Sequence, residues 1–497
     1  TVSFSEESQI SESNCTIALS GNGINNSEYN YYISTSLHIS LNQVGYPFYV
    51  GDEIKGAPII FDIDEDGLNE TFVVDGLGFI HQFLLDGTEV DNDTWPYDLG
   101  DETWGSPAAD DIDGDGFIDL VIGSKSKSLF IFDKDGLKLS LDLDSYLMGS
   151  PALGQLDDDE DLEIVIGGYS SSNKKIFAIN PDGSNVNGFP VDVGEKILRG
   201  VALYDFDGND KDDMVFGTDD DNIILLNDDG AISWSYQTGD RVQGAPSIIN
   251  TGSEILICAG SRDDSMYCLE EDGELKFSVP TNNWVYTSPS AVDTDLGVMI
   301  FFGSDDGLIY AVDTNGNNLD GWPIDTGSKI VGSIAFADID NDQEPEVFSS
   351  NIDGYALAYH LDGTAVDYFP ILNPLALTGS PHLYDINNDG DLELMVGSMN
   401  ELIGFDIKTA GSIEGYWSTH RANNRRNGYW ESSNQPECTF GDVNNNGIID
   451  ILDIMQTIGI AMTTITPNES QSCAADANSN GVIDILDIMV IINIILN

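Results

Sequence analysis

A pattern first seen at residues 105–136 recurs through most of the chain. In that segment, GSPAADDIDGDGFIDLVIGSKSKSLFIFDKDG, an apolar stretch leads into an acidic loop, a second apolar stretch ends in glycine, and a third ends in Asp-Gly. Equivalent units begin at Gly56, Gly105, Gly149, Arg199, Gly244, Thr287, Gly332 and Gly379, at intervals of 43 to 50 residues. A period of this length predicts a repeat architecture in which each unit is one supersecondary structure.

Each unit contains three stretches of apolar, β-branched or aromatic residues bounded by turn residues, which predicts three strands. A fourth stretch closes most units, for example GFPVDVG at 188–194 and GWPIDTG at 321–327. Four short strands per unit predict a mainly β fold, a propeller with one blade per unit. We expect eight blades, or seven if one unit is irregular. A stacked β-solenoid is the alternative, but its rungs are usually shorter.

The segment GYPFYVG at 45–51 resembles a closing stretch but precedes the first unit. We expect it to supply the outer strand of the last blade, which would join the ring and leave no open sheet edge at the seam. The chain then divides into an N-terminal arm at 1–44, a propeller at 45–431 and a C-terminal region at 432–497. The arm contains YNYYISTSLHISL, a stretch that predicts strands.

The acidic loops space their side chains as calcium sites do. In DIDGDGFID at 111–119, acids occupy positions 1, 3, 5 and 9 and glycine occupies position 6. Alternate side chains in a tight loop point the same way, the glycine permits the sharp turn, and the carbonyl at position 7 adds an oxygen. Hard oxygen donors in this number suit calcium better than zinc or copper.

Six blades carry candidate ligands at these positions. The complete pattern gives Asp62, Asp64, Asp66 and Glu70 in blade one, Asp111, Asp113, Asp115 and Asp119 in blade two, and Asp385, Asn387, Asp389 and Glu393 in blade eight. Without the glycine, blade four offers Asp205, Asp207, Asn209 and Asp213, and blade seven offers Asp338, Asp340, Asp342 and Glu346. Blade three has Gln155 at position 1, followed by Asp157, Asp159 and Glu163.

Blades five and six have shortened loops, INTGSEILI and VDTDLGVMI, for which we predict no ion. Asp293→Ala in blade six is therefore expected to change calcium binding little. Aspartate is common in turns without any metal, but the same spacing in six units favours metal sites. Through DIDEDG, DIDGDG and DINNDG, residues 46–431 resemble FG-GAP or VCBS-type repeats, the calcium-loop blades also found in integrin α subunits. The resemblance implies that the loops are structural and that function lies on other surfaces of the propeller.

The sequence IDILDIM occurs twice near the end of the chain, at 449–455 and 483–489. Each copy overlaps a loop with oxygen donors at positions 1, 3, 5, 9 and 12 and glycine at position 6, which is EF-hand spacing with Asp in place of the usual Glu at position 12. The predicted ligands are Asp442, Asn444, Asn446, Asp450 and Asp453 in loop one, and Asp476, Asn478, Asn480, Asp484 and Asp487 in loop two. Together with the blades, up to eight calcium ions are predicted.

A calcium loop followed by one helix, present twice, resembles a type I dockerin over residues 437–497. The resemblance implies attachment to a cohesin-like module. Loop positions 10 and 11, where dockerins often carry small polar recognition residues, are Ile451, Leu452, Ile485 and Leu486, and we predict that these residues bind the partner. By their spacing, Ile451, Ile454, Met455 and Ile458 are expected to form an inward stripe that leaves Leu452 outside. A calcium-stabilised cap folded onto the propeller is the alternative.

Composition excludes several classes of partner. The formal net charge is −68, from 86 acids against 18 bases, so nucleic acid and anionic lipid surfaces are not expected to bind. No apolar run reaches the roughly 18 residues that a membrane-spanning helix needs. The segment HRANNRRNGYW at 420–430 concentrates three arginines, which we expect to neutralise acids where the ring closes rather than to bind a ligand.

The cysteines favour an oxidising compartment. Cys258 and Cys268 lie on consecutive predicted strands, and Cys438 and Cys473 precede the two tail loops, so both pairs are predicted disulfides. Cys15 is left as a free thiol or a link between subunits. We expect an extracellular or cell-surface location, and a chain that begins at Thr1 rather than Met is compatible with a removed secretion signal.

The sequence contains no nucleophile–base motif, and we predict that the protein is not an enzyme. The preferred interpretation is a secreted, non-catalytic, calcium-binding propeller, attached through its dockerin-like tail to a scaffold, a surface or a partner, with a glycan or surface ligand on the propeller. One alternative is a self-assembling subunit of an extracellular filament or surface layer, in which the tail binds a neighbouring subunit. The other is the non-catalytic part of a larger secreted hydrolase.

Overall fold

The computed structural model describes residues 13–22, 28–37, 41–294, 297–433, 440–444, 446, 448–449, 451–462, 464–465, 467, 469–477, 482–483 and 485–496. In the N-terminal arm, β1 (Ser13–Asn22) and β2 (Glu28–Leu37) pair as an antiparallel hairpin, which confirms the strands predicted there. Cys15 lies on β1 opposite Thr35.

From Phe48 onward, the described strands form eight sheets, one for each unit of the repeat. The first strand is β3 (Phe48–Tyr49), followed by blade one with β4 (Ile59–Phe61), β5 (Glu70–Val74), β6 (Phe79–Phe83) and β7 (Tyr97–Asp98). Blade two has β8 (Ala108–Asp110), β9 (Asp119–Gly123), β10 (Ser128–Asp133) and β11 (Gly136–Asp142). Blade three has β12 (Ala152–Gly154), β13 (Glu163–Gly167), β14 (Lys175–Ile179) and β15 (Val191–Asp192). Blade four has β16 (Ala202–Tyr204), β17 (Asp213–Gly217), β18 (Asn222–Leu226) and β19 (Ile232–Gln237).

The remaining four blades repeat this order. Blade five has β20 (Ser247–Asn250), β21 (Ile255–Ser261), β22 (Ser265–Glu270) and β23 (Leu275–Pro280). Blade six has β24 (Ser290–Thr294), β25 (Gly297–Gly303), β26 (Leu308–Asp313) and β27 (Ile324–Asp325). Blade seven has β28 (Ala335–Ala337), β29 (Glu346–Ser350), β30 (Tyr355–Tyr359) and β31 (Ile371–Leu372). Blade eight has β32 (His382–Tyr384), β33 (Asp391–Gly397) and β34 (Glu401–Ala410), and β35 (Tyr429–Glu431) follows it in the chain.

The outer strand of blade eight comes from the start of the chain, as predicted. Phe48 pairs opposite Leu402 and Tyr49 opposite Glu401, so the last sheet has the order β3-β34-β33-β32. The Phe48 ring also packs edge-on against Phe83 of blade one, at 4.5 Å between ring centroids. The ring is thereby closed by hydrogen bonds between distant parts of the chain, and the eight-bladed propeller is confirmed.

The core lies between neighbouring blades. Strands such as β9 and β13 are buried along their whole length, because each blade is covered on both faces by the next ones. Between blades one and two, for example, Phe72 packs against Trp95 and Trp95 against Phe132, with ring centroids 5.3 and 5.1 Å apart. Stacking of the blades therefore buries most of the apolar residues that the repeat supplies.

Residues 417–433 run inside the ring and contact all eight blades. Carbonyl oxygens of this axial segment accept backbone hydrogen bonds from the innermost strands at Phe336, Leu383, Ala109, Leu153, Leu203 and Ile248, at 2.8 to 3.0 Å. The Asn424 side chain donates to Ile60 O of blade one, and the Ser432 hydroxyl donates to Asp293 of blade six. Strand β35 lies parallel to β20 as a fifth, innermost strand of blade five. The end of the repeat region therefore fills the centre of the propeller.

Two arginines of the axial segment are completely buried. The Arg421 guanidinium donates to the carbonyl oxygens of Val201, Pro246 and Arg426. Arg426 donates in the same way to Pro58 O, Pro107 O and His420 O, and to the Thr419 hydroxyl. Burial lowers the pKa of both guanidinium groups to about 9, so both remain charged at neutral pH.

The expectation that these arginines neutralise acids is therefore wrong for two of the three. Arg421 and Arg426 bind backbone carbonyl groups, and only Arg425 pairs with an acid, Asp110. The physical reason is that the inner edges of the blades present backbone oxygens to the axis, and a buried carbonyl needs a donor.

We expect Arg421→Met to lower the free energy of unfolding by about 3–5 kcal/mol, since it leaves three buried carbonyl oxygens without donors. Arg425→Met is the matched control. It removes an exposed ion pair and should cost about 0–1 kcal/mol. Urea denaturation in calcium-containing buffer measures both variants, and equal losses would contradict the assigned role of Arg421.

The C-terminal region contains three described helices, α1 (Ile451–Ala461), α2 (Glu469–Ala475) and α3 (Ile485–Leu496). The sequence predicted α1 and α3 but not the short α2. Val443, Ile460, Ala474, Ala475 and Ile491 form a small core. None of the described helices is long and apolar enough to cross a membrane.

Candidate calcium sites and docking face

The first acid of the blade loops folds the loop around itself. In blade one, Asp62 accepts hydrogen bonds from the backbone N–H groups of Asp66 and Gly67, at 3.2 and 2.8 Å. Asp111, Asp205 and Asp385 accept equivalent bonds, and Asp338 accepts from the N–H groups of Asn341 and Gln343. In each of these five blades, the two oxygens of the position 1 carboxylate therefore hold the turn.

The turn requires a positive φ at position 6. Gly67, Gly116 and Gly390 adopt φ of 87°, 93° and 93° there. In blades four and seven, which have this turn but lack the glycine, Asp210 and Gln343 take the same conformation, with φ of 65° and 72°. Loops four and seven therefore keep the backbone of the complete pattern at some conformational cost.

Positions 5 and 9 are equally regular. The side chains of Asp66, Asp115, Asp159, Asn209, Asp342 and Asp389 each accept a hydrogen bond from the backbone N–H two residues later. The acids at position 9 are buried, and the N–H at position 2 donates to those of five blades, namely Glu70, Glu163, Asp213, Glu346 and Glu393. A buried carboxylate therefore lies under each of these loops.

The predicted ligands are brought together. Carboxylate oxygens lie within 4.8 Å of one another in Asp62–Asp64–Asp66, Asp111–Asp113–Asp115, Asp157–Asp159–Glu163, Asp205–Asp207–Asp213 and Asp338–Asp340–Glu346. In blade eight, the Asn387 amide donates to Glu393, at 3.0 Å. Among the described residues, Glu163 Oε1 and Asp113 Oδ1 are buried without a hydrogen-bond partner. An all-oxygen donor set with unpartnered buried oxygens fits calcium, which would supply the missing positive charge.

Burial changes the acidity of the position 9 side chains. It raises the pKa of Glu70, Glu163, Asp213 and Glu393 to about 7, and that of Asp119 to about 6. A metal ion needs these carboxyls deprotonated, so calcium would compete with protons near neutral pH.

The stability of the metal-free protein should accordingly depend on pH. For Glu70, the ordinary pKa of 4.5 is raised to about 7, so between these values the folded state binds more protons than the unfolded state and stability falls as pH rises. We expect the melting temperature in excess chelator to fall from about pH 5 to pH 8, and calcium to restore it most at the upper end. Differential scanning calorimetry with and without calcium measures this, and a flat curve in chelator would contradict it.

Blade two differs from the sequence prediction in one respect. The Lys138 ammonium, on β11, lies 2.6 Å from Asp113 Oδ2 and 3.0 Å from Asp119 Oδ1, two of the four predicted ligands. A tethered cation therefore shares this loop, which the spacing of acids alone could not reveal because Lys138 comes from a different strand. Blade two is expected to bind calcium more weakly than its complete pattern suggests.

We predict that Lys138→Met strengthens calcium binding at blade two by about tenfold or more, since it removes a competing charge from a half-buried site. Lys134→Met is the control, because Lys134 pairs with Asp135 outside the predicted ligand set. Isothermal titration calorimetry of both variants gives the affinities. The same change in both variants would indicate a general charge effect.

The two loops predicted to bind no ion have other roles. In blade five, β20 and β21 are joined by a tight turn at residues 251–254. In blade six, Asp293 accepts hydrogen bonds from the Ser432 hydroxyl and from the backbone N–H and hydroxyl of Ser433. Asp293 therefore holds the end of the axial segment, a role that the sequence did not predict.

Loop one of the tail is partly described. Asp442 and Asp453 are buried, and Asp453 Oδ1 accepts hydrogen bonds from the backbone and the amide of Asn444, at 3.0 and 2.7 Å. Asp442 accepts from the Asn446 N–H at 3.0 Å. In loop two, Asp487 is buried and Asp476 is half-buried. Asp450, Asn478, Asn480 and Asp484 lie outside the described residues.

The predicted disulfides have different outcomes. Cys258 and Cys268 are bonded across β21 and β22, as predicted, with 4.1 Å between their Cα atoms. Cys473 is disulfide-bonded, but its predicted partner, Cys438, lies outside the described residues.

The tail helices expose two matching apolar surfaces. On α1, Ile451, Leu452 and Met455 are 68%, 54% and 63% exposed, and on α3 the equivalent Ile485, Leu486 and Met489 are 68%, 52% and 57% exposed. The expected inward stripe is therefore wrong for Ile451, Met455 and Ile458, which all face outward. The helix instead buries Asp453, Thr457, Gly459 and Ile460, because Asp453 must face the loop.

Comparison with known proteins assigns two parts of the chain. Residues 440–496 match the Dockerin type I domain model, and residues 170–296 match the model of the Lambda-carrageenase beta-propeller domain. The C-terminal region is therefore similar to dockerin type I domains, and the part of the propeller from blade three into blade six is similar to the lambda-carrageenase propeller. The FG-GAP relationship stays a prediction based on the loop motifs. A search of curated proteins found no match.

Solved structures resemble this chain at low identity. BamB from Moraxella catarrhalis is 18% identical, with 70% of this chain and 95% of that chain covered and a TM-score of 0.48. Quinohemoprotein alcohol dehydrogenase from Comamonas testosteroni is 12% identical, with coverage of 74% and 76% and a TM-score of 0.50. Identities this low indicate at most a shared propeller fold.

Proposed function

We propose that this protein is a secreted, non-catalytic propeller that attaches to a cohesin module through its dockerin domain. The observation that supports this proposal best is the pair of equivalent apolar surfaces on α1 and α3. Exposed apolar patches of this kind mark interaction sites. Because the two helices repeat the same residues, either one can present the same face to a partner.

Calcium has a structural role in this proposal. The blade loops resemble those of FG-GAP repeats, and each lies at the end of an innermost strand, where a bound ion would cross-link the loop to the buried acid at position 9. In the tail, Asp453 connects the calcium loop to α1. Calcium binding at this loop would fix the helix that carries Ile451, Leu452 and Met455.

An extracellular location is supported by the dockerin domain and the Cys258–Cys268 disulfide, since structural disulfides persist in oxidising compartments. Many extracellular environments also supply enough calcium to fill sites of moderate affinity.

The docking face is tested by replacing its leucines. We expect Leu452→Asp or Leu486→Asp alone to weaken binding to a type I cohesin about tenfold or less, because the other helix remains available. The double variant should lose binding altogether, since both faces then carry a charge at a desolvated contact. Surface plasmon resonance against a panel of type I cohesins, in calcium, measures this.

Leu77→Asp is the matched control, because Leu77 is 56% exposed in a turn of blade one. Calcium affinity and the helical circular dichroism of the double variant must match the original, so that any loss of binding is not a loss of folding. Full binding by the double variant would contradict the docking face. Self-association abolished by the same variant, without cohesin binding, would instead support the filament subunit.

A second candidate is favoured by the match at residues 170–296. The matched model is named for a carrageenase, so this propeller could belong to, or accompany, an enzyme that acts on that polysaccharide. Incubation of the full chain with λ-carrageenan, followed by an assay of reducing ends, distinguishes the two. Release of reducing ends would replace the non-catalytic proposal.

A further inference from the structure

The propeller axis opens into a cavity at the end remote from the calcium loops. The cavity has a volume of about 230 Å³ and is lined by residues of all eight blades, including Lys55, Trp104, Arg199 and Tyr286, with His420 of the axial segment at one wall. These blade residues precede the innermost strands, whereas the calcium loops follow them. The cavity and the acidic loops therefore lie at opposite ends of the innermost strands.

Arg199 departs from the repeat at this end of the blades. Six of the eight units begin with glycine, and blade four begins with Arg199. Glycine is favoured there because neighbouring blades approach closely: a Cβ on Gly105 would lie 2.4 Å from Gly149 O, and one on Gly149 would lie 2.5 Å from Arg199 O. Blade four instead places the longest cationic side chain at the edge of the axial cavity.

The Arg199 guanidinium has no partner of its own within the described residues. Its Nε is buried without a hydrogen bond, and it forms no ion pair with any described carboxylate. Two lysines at this end are engaged: Lys55 lies 3.5 Å from Glu53, and Lys329 lies 2.6 Å from Asp305. In a chain with net charge −68, an unpaired, half-buried arginine is an unusual feature.

Two aromatic side chains line the same cavity as Arg199. Trp104 and Tyr286 line the cavity, Lys55 Nζ lies 4.4 Å from the centroid of the Trp104 ring, and the Tyr286 ring lies edge-on to Trp284 at 5.8 Å. Flat apolar faces next to hydrogen-bonding groups suit a sugar, whose C–H face packs on a ring while its hydroxyls bond at the edge. The volume is below the range of about 300–1,000 Å³ typical of drug-sized ligands, and so fits a single sugar ring.

We propose that this axial cavity binds one sugar-acid residue, with its carboxylate on Arg199 and its ring between Trp104 and Tyr286. The planar guanidinium can donate two parallel hydrogen bonds to a carboxylate. The His420 imidazole, held by the Ser333 hydroxyl at 3.0 Å, offers a further polar edge to the ligand. This site is independent of the dockerin domain, so its failure would leave the attachment role untouched.

The test is titration of the full chain, in calcium, with galacturonate and glucuronate, measured by isothermal titration calorimetry. We expect one uronate per chain and at least about tenfold weaker binding of galactose or glucose, which lack the charge. Separate titrations with sodium acetate and sodium sulfate test whether the anion alone is enough for binding. Sulfate or acetate binding as tightly as the uronates would overturn the sugar part of the proposal.

Arg199→Gln should abolish uronate binding, and Trp104→Ala should weaken it about tenfold or more. Arg241→Gln is the control, because Arg241 is exposed, precedes β20 at the same end of the propeller and does not line the cavity. Arg199→Gln should also leave the melting temperature unchanged or raised, since it removes an unpaired half-buried charge. Uronate binding unaffected by Arg199→Gln, or no uronate binding by the original protein, would overturn the proposal.

Discussion

The closed ring depends on hydrogen bonds from its centre. Eight blades meet at the axis with the inner edges of their first strands unpaired, and each such edge presents backbone groups that need partners. The axial segment supplies them, since its carbonyl oxygens accept bonds from six innermost strands and its side chains reach the other two blades. Arg421 and Arg426 complete this arrangement, because a guanidinium carries enough donors to satisfy several carbonyl groups at once.

The two ends of the innermost strands differ in charge because they differ in sequence pattern. The strands lead into acidic loops at one end, where buried position 9 carboxyls and loop aspartates converge. Around the cavity, the other end carries glycine and serine, the cations Lys55 and Arg199, one acid, Glu53, and aromatic rings. The acidic loops at one end are candidate metal sites, and Arg199 places a positive charge in the cavity at the other.

In the duplicated tail, one buried residue decides which side of a helix is exposed. In α1, burial of Asp453 towards its loop fixes which side of the helix faces the core, and this choice turns Ile451, Leu452 and Met455 outward. The equivalent residues on α3, Ile485, Leu486 and Met489, are exposed in the same way, because loop and helix start are duplicated together as IDILDIM. In the first half, the loop and the exposed apolar face of α1 are thus linked through the buried Asp453.

The sequence by itself determined the features that depend on short-range spacing. The number of blades and the closing strand at 45–51 follow from the repeat of one pattern, and the calcium-type loops and the Cys258–Cys268 bond follow from spacing within one unit. Only the tertiary structure decided which distant groups meet. Lys138 contacts the blade two loop from another strand, and Arg421 bonds to Pro246, which lies 175 residues away in the sequence. Arg199 lines the axial cavity because the closed ring places the start of its blade there. Helix spacing alone predicted the wrong face of α1, because the decisive contact was the hydrogen bonding of Asp453 in its loop rather than the burial of its apolar residues.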